Sequence, residues 1–198
     1  MIASLPAEIQ AELIRLADHY GKPLIHTAYL ESGSNFEPLN KADRYGEVCM
    51  VIRRPNGRLL TMKKDIYPPE AYRLLTGGIH HGEAIFDALL RETQEETGLQ
   101  VEVRRFLAVV IYHTSDSGEK PAFFTFAFLL DETGGVLGAL DEDERIENYR
   151  EVKPEELPAM ARYLHNIHYP DGQGSDWHDW GQMRAVIHEV VWQAIQKA

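Results

Sequence analysis

Apolar residues recur at helical spacing at the start of the chain. Ile9, Leu13, Leu16, Ala17 and Tyr20 share one face of residues 5–20, and Gly21 is placed to stop the helix. Lys22 to Glu31 reads as a strand, and the turn formers between Ser32 and Ala42 mark a junction. Two apolar runs, Glu47 to Ile52 and Leu59 to Met62, flank Pro55-Asn56-Gly57, a strong hairpin signal because Asn and Gly tolerate positive φ. Strand-like residues Tyr72 to Leu75 lead into Thr76-Gly77-Gly78, and a helix is expected from about Glu83 to Thr97, ended by Gly98. Val101 to His113 and Pro121 to Leu130 follow as long strands. In the second, both alternating sets of residues are apolar, which predicts a sheet covered on both faces. Pro154 opens a helix carrying Leu157, Met160, Ala161 and Leu164. Met183, Val186, Ile187, Val190, Val191 and Ile195 form a last helical stripe. Strands and helices mix without regular alternation, so the expected class is an α/β or α+β sandwich.

Composition narrows the function more than the fold. With 198 residues, 44% hydrophobic and 26% charged, the chain can bury a sizeable core. Its net charge of −11 repels polyanions, so duplex nucleic acid and anionic membranes are poor partners, and an anionic substrate would need a bridging cation. The single cysteine, Cys49, lies in the run Val48 to Ile52 and reads as a small buried hydrophobe. Met1 to Glu8 lacks the pattern of a secretory leader and no apolar stretch reaches membrane-spanning length, so the expected location is cytoplasmic.

The chemistry concentrates between Gly77 and Leu99. At about 100° per residue, Glu92, Glu95 and Glu96 converge on one side of a helix. Their repulsion is relieved by solvation or by a hard divalent cation, which prefers carboxylate oxygens. Glu83, Asp87, Arg91 and Glu95 form a second line at i, i+4 spacing, placing Arg91 among carboxylates it can orient. Gly77, Gly78 and Gly82 allow close approach of backbone to a phosphate or metal.

In order and spacing, Gly77, Glu83, Arg91, Glu92, Glu95, Glu96, Gly98 and Leu99 match the box of the Nudix hydrolases, departing only at Thr93, where the family has an aliphatic residue. The chain therefore resembles that family. The resemblance implies an α/β/α sandwich with a mixed sheet and hydrolysis of a diphosphate linkage with Mg²⁺ or Mn²⁺. It further implies that Glu92, Glu95 and Glu96, with the Gly77 carbonyl, hold metal, and that Arg91 and Glu83 orient the acids. The catalytic set so implied is Glu95, Glu96, Arg91 and Glu83. On this reading residues 1–42 form an N-terminal extension, 43–166 the hydrolase domain, and 167–198 a C-terminal helix packed on the core. The family's substrate markers would fall near Thr114 to Ser117 and none is present, so a nucleotide sugar, an ADP-ribose-like compound and a nucleoside triphosphate all stay open. The alternatives are a catalytically silent nucleotide-sensing module, although every box glutamate is kept, and a prenyl-diphosphate type isomerase, for which Cys49 lacks the expected context.

Other features read more plainly. His80 and His81 are expected to face solvent. His165, His168 and His178 with Trp177 and Trp180 are expected as a packed surface cluster rather than a zinc site. Tyr112, Phe123 and Phe126 read as core. The run Asp141 to Glu147 reads as a solvated loop, with Glu144 and Glu147 kept as candidates for a base or extra ligand. The apolar stripe of residues 5–20 needs a cover. The resemblance points to a second copy, hence a homodimer, with the C-terminal helix as the intramolecular alternative.

Overall fold

The computed structural model of the chain describes residues 4–31, 33–36, 38–168 and 176–197. Among these residues seven strands form one mixed sheet: β1 (Leu24–Tyr29), β2 (Arg44–Arg53), β3 (Leu59–Lys64), β4 (Leu75–His80), β5 (Leu99–His113), β6 (Phe123–Gly135) and β7 (Ile146–Val152). The order is β1-β5-β6-β2-β3-β7, with β4 paired to β2. β1 joins β5, and β2 joins β6, in parallel; the other pairings are antiparallel. The helices are α1 (Ala7–Tyr20), α2 (Ile85–Thr97), α3 (Leu157–His165) and α4 (Asp176–Gln196).

The apolar character of both strand faces is used as the sequence suggests. Val48, Met50 and Ile52 of β2 and Phe124, Phe126 and Phe128 of β6 bury against α1 and α2. Cys49 and Val51, with Phe123 and Ala127, point the other way and bury against α3 and α4. The result is an α/β/α sandwich with a mixed sheet. Tyr112, Phe123 and Phe126 are core residues, exposed by no more than 1%. Cys49 is fully buried, and burial pushes its thiol pKa up, as expected of an inert core cysteine.

The Asn-Gly hairpin forms between β2 and β3, with Gly57 at φ 82°. Gly98 ends α2 in the left-handed conformation, its N–H bonding the Gln94 carbonyl. Three expectations need correction. Residues 72–75 are not a strand of their own: only Arg73 bridges to Met62, and β4 begins at Leu75 and runs through both glycines. The end of the acidic run is not all loop, because Ile146–Val152 pairs with β3 as a sheet-edge strand. Its apolar residues, Ile146, Tyr149 and Val152, fall three apart, a spacing that hides a strand. Finally, α1 lies on the opposite side of the sheet from α4. Leu16 is buried there, and Ile9, Leu13 and Tyr20 pack on the same cluster, so this chain's own sheet and α2 cover most of the stripe.

Candidate functional site

The box is assembled from one strand and one helix. β4 lies beside β2, with Gly77 opposite Val48 and Gly78 opposite Glu47. α2 crosses over that strand so closely that a Cβ on Gly77 would collide with the Glu92 carboxylate, while one on Gly78 would meet the guanidinium of Arg44 from β2. At both positions a side chain would displace one of these charged groups, so glycine leaves room for Glu92 and Arg44 to lie against the strand. Thr93 sits where an aliphatic residue was expected; it is buried, and its hydroxyl is satisfied by the Leu89 carbonyl at 2.7 Å.

Arg91 is the hub. Its guanidinium donates to both Glu83 oxygens (2.8 and 2.9 Å), to Glu92 Oε1 (2.9 Å), to Glu95 Oε2 (2.9 Å) and to the Gly78 carbonyl (2.9 Å). These bonds raise the Arg91 pKa, led by the hydrogen bonds to Glu83. The Glu83 carboxyl is lowered in turn by Arg91, and it also accepts the His80 N–H at 3.0 Å. Asp87 belongs to the same i, i+4 line, yet it is exposed and no ion pair to Arg91 is among those formed by the described residues. The expected Asp87 contact is thus corrected.

The three helix glutamates occupy different environments. Glu95 is partly exposed, Glu92 is 6% exposed and Glu96 is 1% exposed. Burial raises the Glu92 pKa against the opposing pull of Arg91. Burial also pushes Glu96 up to about 8, despite Arg73 and Lys64 nearby, with Glu144 and Glu92 adding like charge. Glu96 Oε2 is buried without a hydrogen-bond partner. An unsatisfied buried carboxylate oxygen costs free energy unless something cationic meets it. Oxygen-only donors, that orphaned atom and the tight Gly77 approach fit a hard divalent cation. Among the described residues, however, no three Asp, Glu, His or Cys side chains already converge as a ligand set. Arg91 holds Glu92 and Glu95 instead.

Of the two acids kept from the run after β6, Glu144 lies on the box side, bonded to Lys64 at 3.0 Å and raising the pKa of both Glu92 and Glu96. Glu147, on β7, is half exposed and paired to Lys63 at 2.6 Å. His80 and His81 are exposed, with His81 reaching the Ala42 carbonyl. His168 and His178 stack at 4.9 Å, and His178 bonds the Ile167 carbonyl and Gln182. The neighbouring Trp180 is not a surface residue: it is 5% exposed and packs on Tyr67 at 4.7 Å.

Gly78 and Glu144 also line a cleft of about 540 Å³, whose residues come from segments distant in sequence. Among the described residues, six basic side chains line it, Lys41, Arg44, Lys64, Arg73, Arg145 and Arg184, and three acids, Glu47, Asp143 and Glu144. Tyr67, Trp177, Trp180 and Phe36 supply its aromatic part. At its floor Glu47 accepts from Arg184 at 2.6 Å and from Thr125 at 2.9 Å, through the same oxygen. The signal for these residues was in the sequence: Glu47 borders an apolar run, and Arg184 and His188 sit within the buried stripe of α4.

The family model for the NUDIX domain matches residues 44–171, more than half of the chain. The chain belongs to the NUDIX domain family. It is 32% identical over 97 residues to an ADP-ribose pyrophosphatase of Methanocaldococcus jannaschii, a match covering 49% of this chain and 56% of that protein. It is 35% identical over 94 residues to Nudix hydrolase 19, chloroplastic, of Arabidopsis thaliana, covering 42% of this chain and 20% of that one. The chain thus spans less than two thirds of the length of either relative. Among solved structures, a NUDIX hydrolase from Nitrosomonas europaea has the same fold, at a TM-score of 0.51 and 18% identity, covering 80% of this NUDIX chain and 73% of its own.

Proposed function

We propose that the protein is a metal-dependent hydrolase of a diphosphate linkage in a nucleoside diphosphate derivative. The observation that carries this reading is the adjacency of two unlike regions: box carboxylates clustered on α2, two of them buried, and a cleft whose described lining gathers Lys41, Arg44, Lys64, Arg73, Arg145 and Arg184 on a chain whose net charge is −11. An acidic protein has reason to concentrate cations at one place when its ligand is an anion. Glu92, Glu95, Glu96 and the Gly77 carbonyl would hold Mg²⁺ or Mn²⁺. When bound, such a cation neutralises diphosphate charge and supplies Lewis-acid activation. The chain's own residues do the rest. Arg91 fixes the rotamers of Glu83, Glu92 and Glu95, the cleft cations bind phosphate oxygens, and the aromatic wall excludes water and offers ring faces to a base. Glu144 is the better candidate than Glu147 for a base or further ligand, because it neighbours Glu92 and Glu96.

The test is a panel of nucleotide sugars, ADP-ribose, dinucleoside polyphosphates and nucleoside triphosphates, assayed with Mg²⁺ and with Mn²⁺. At least one should be cleaved, with activity lost in EDTA and restored by the cation. Full activity after dialysis against excess EDTA would reject the reading, and binding without turnover across the panel would favour the nucleotide-sensing alternative.

A homodimer is a separate proposal. Ile14 on α1 and Ile25 on the edge strand β1 are 46% and 52% exposed and border an apolar groove of about 300 Å³ beside the stripe residues Leu13 and Ala17. Light scattering at micromolar concentration should give twice the 22.6 kDa chain mass; the single-chain mass would reject it.

A further inference from the structure

We propose that Glu12 is a positioning residue for the glutamate-bearing helix α2, so that a segment preceding the matched NUDIX domain takes part in its chemistry. The proposal rests on the hydrolase reading above for its kinetic consequence and on geometry for the rest.

A helix begins with amide groups that have no intrahelical acceptor, and when buried they require one. At the N-terminus of α2 the capping position is Ala84, which offers no side-chain acceptor. Ile85, the first helical residue, is fully buried, so water does not substitute. The acceptor comes from another element. Glu12, on the buried face of α1 one turn from Leu16, takes the Ile85 N–H with Oε2 at 3.1 Å and the Phe86 N–H with Oε1 at 3.0 Å. Glu12 is itself only 7% exposed, and a carboxylate at this end of a helix also complements the helix dipole. A second link reinforces the first: Tyr20, at the end of α1, stacks on Phe86 at 5.8 Å with the rings 13° from parallel.

These contacts fix where α2 starts along its axis. Arg91 and the three box glutamates follow within the next three turns of the same rigid rod, and the gap they must fit is narrow, since even a Cβ on Gly77 would strike Glu92. A displacement of the helix start therefore passes directly to the carboxylates. Positioning errors of about 1 Å in a site of this kind are felt strongly in turnover.

The experiment compares Glu12→Ala and Glu12→Gln with Leu16→Ala, a truncation on the same buried face of α1 that leaves the two amide bonds intact. Four quantities are read: melting temperature, Mn²⁺ affinity by electron paramagnetic resonance, amide exchange of residues 85–97, and kcat and KM on a cleaved nucleotide. In Glu12→Ala, exchange in 85–97 should quicken, Mn²⁺ affinity should fall several-fold, and kcat should fall about tenfold or more with KM within about twofold. Glu12→Gln keeps one carbonyl acceptor and should recover part of each loss. Leu16→Ala should lower the melting temperature, leave Mn²⁺ affinity and kcat near parental, and quicken exchange in 85–97 no more than its loss of global stability accounts for. Parental exchange, Mn²⁺ affinity and kcat in Glu12→Ala, or equal losses in Leu16→Ala, would overturn the proposal. If the parent protein cleaved no diphosphate, the hydrolase reading alone would fall. Altered exchange and Mn²⁺ affinity in Glu12→Ala would then uphold the role of Glu12, and unaltered values would end it.

Discussion

At the scale of single residues, the sharpest distinction lies between acids that look alike in sequence. Glu95→Gln and Glu96→Gln each remove one charge from the cluster while keeping size and helix propensity. Turnover on a cleaved substrate should fall by about two orders of magnitude or more in each, whereas Asp87→Asn, an exposed neighbour outside the Arg91 network, should stay within about threefold of the parent. Near-parental kcat in both glutamine variants would undo the site assignment. Glu96 carries a further expectation. Its pKa is raised above the ordinary 4.5 to about 8, chiefly by burial, so the folded state disfavours the ionised form. Without metal, stability is then complete below the unfolded pKa and is lost as pH rises from about 4.5 to 8, on the order of 5 kcal/mol in all. Glu96→Gln has no such loss. Its melting temperature in EDTA, taken relative to the parent, should climb steadily between pH 5 and pH 8; a difference independent of pH would refute the burial argument. That Glu92, Glu95 and Glu96 share one side of α2 with Arg91 among carboxylates was legible in the sequence, because helical spacing carries it; the roles proposed for them come from the family resemblance. That Glu96 is buried and Glu95 partly exposed was not legible, because helical phase places both on one side and only the packing of α2 over β4 separates them.

Elements reveal a different division. The long strands, α2 and its Gly98 stop follow from apolar periodicity and turn chemistry. What periodicity missed are the charged residues that ride on buried faces: Glu12 on α1, Glu47 on β2, and Arg184 and His188 on α4. Each is buried because a specific partner on another element satisfies it, and such partners are distant in sequence. His188 accepts the Leu74 N–H through Nε2 at 3.0 Å, so its Nδ1 carries the proton donated to the Arg184 carbonyl at 2.7 Å. It thereby ties α4 to the segment leading into β4. Burial depresses its pKa from 6.5 to about 4, with the Arg73 and Arg184 charges acting in the same direction. The unfolded chain therefore binds a proton that the folded chain refuses. This contribution is fully present above pH 6.5 and is lost as pH falls through that window to about 4, on the order of 3 kcal/mol. Urea unfolding of the parent should show this acid loss, and His188→Gln should flatten the slope by about one proton between pH 6 and pH 4.5. An unchanged slope would mean that His188 is not the group responsible.

For the whole molecule, charge at two ranges acts in opposite directions on the same ligand. The net charge of −11 repels an anion at long range, while the basic residues of the cleft, of which Arg44, Lys64, Arg145 and Arg184 are ion-paired to Asp43, Glu144, Asp65 and Glu47, would attract one at contact. Added salt screens exposed charges beyond a Debye length of about 10 Å at 0.1 M, and it weakens close pairs in a partly enclosed cleft less completely. The sign of the salt effect therefore reports which field the ligand experiences. If ADP, used as a probe without divalent cation, sits in the cleft, its Kd should rise several-fold between about 20 and 300 mM NaCl, because lost local attraction outweighs relieved repulsion. Arg145→Gln removes one half-exposed cleft cation, whose present partner is Asp65 at 3.0 Å. It should weaken ADP at low salt and reduce the salt dependence, without altering the melting temperature by more than a degree or so, since an exposed ion pair contributes about 0–1 kcal/mol. A Kd that falls with added salt, in parent and variant alike, would show that long-range repulsion dominates. The anion would then bind away from these basic residues, and the cleft would lose its place in the proposed chemistry.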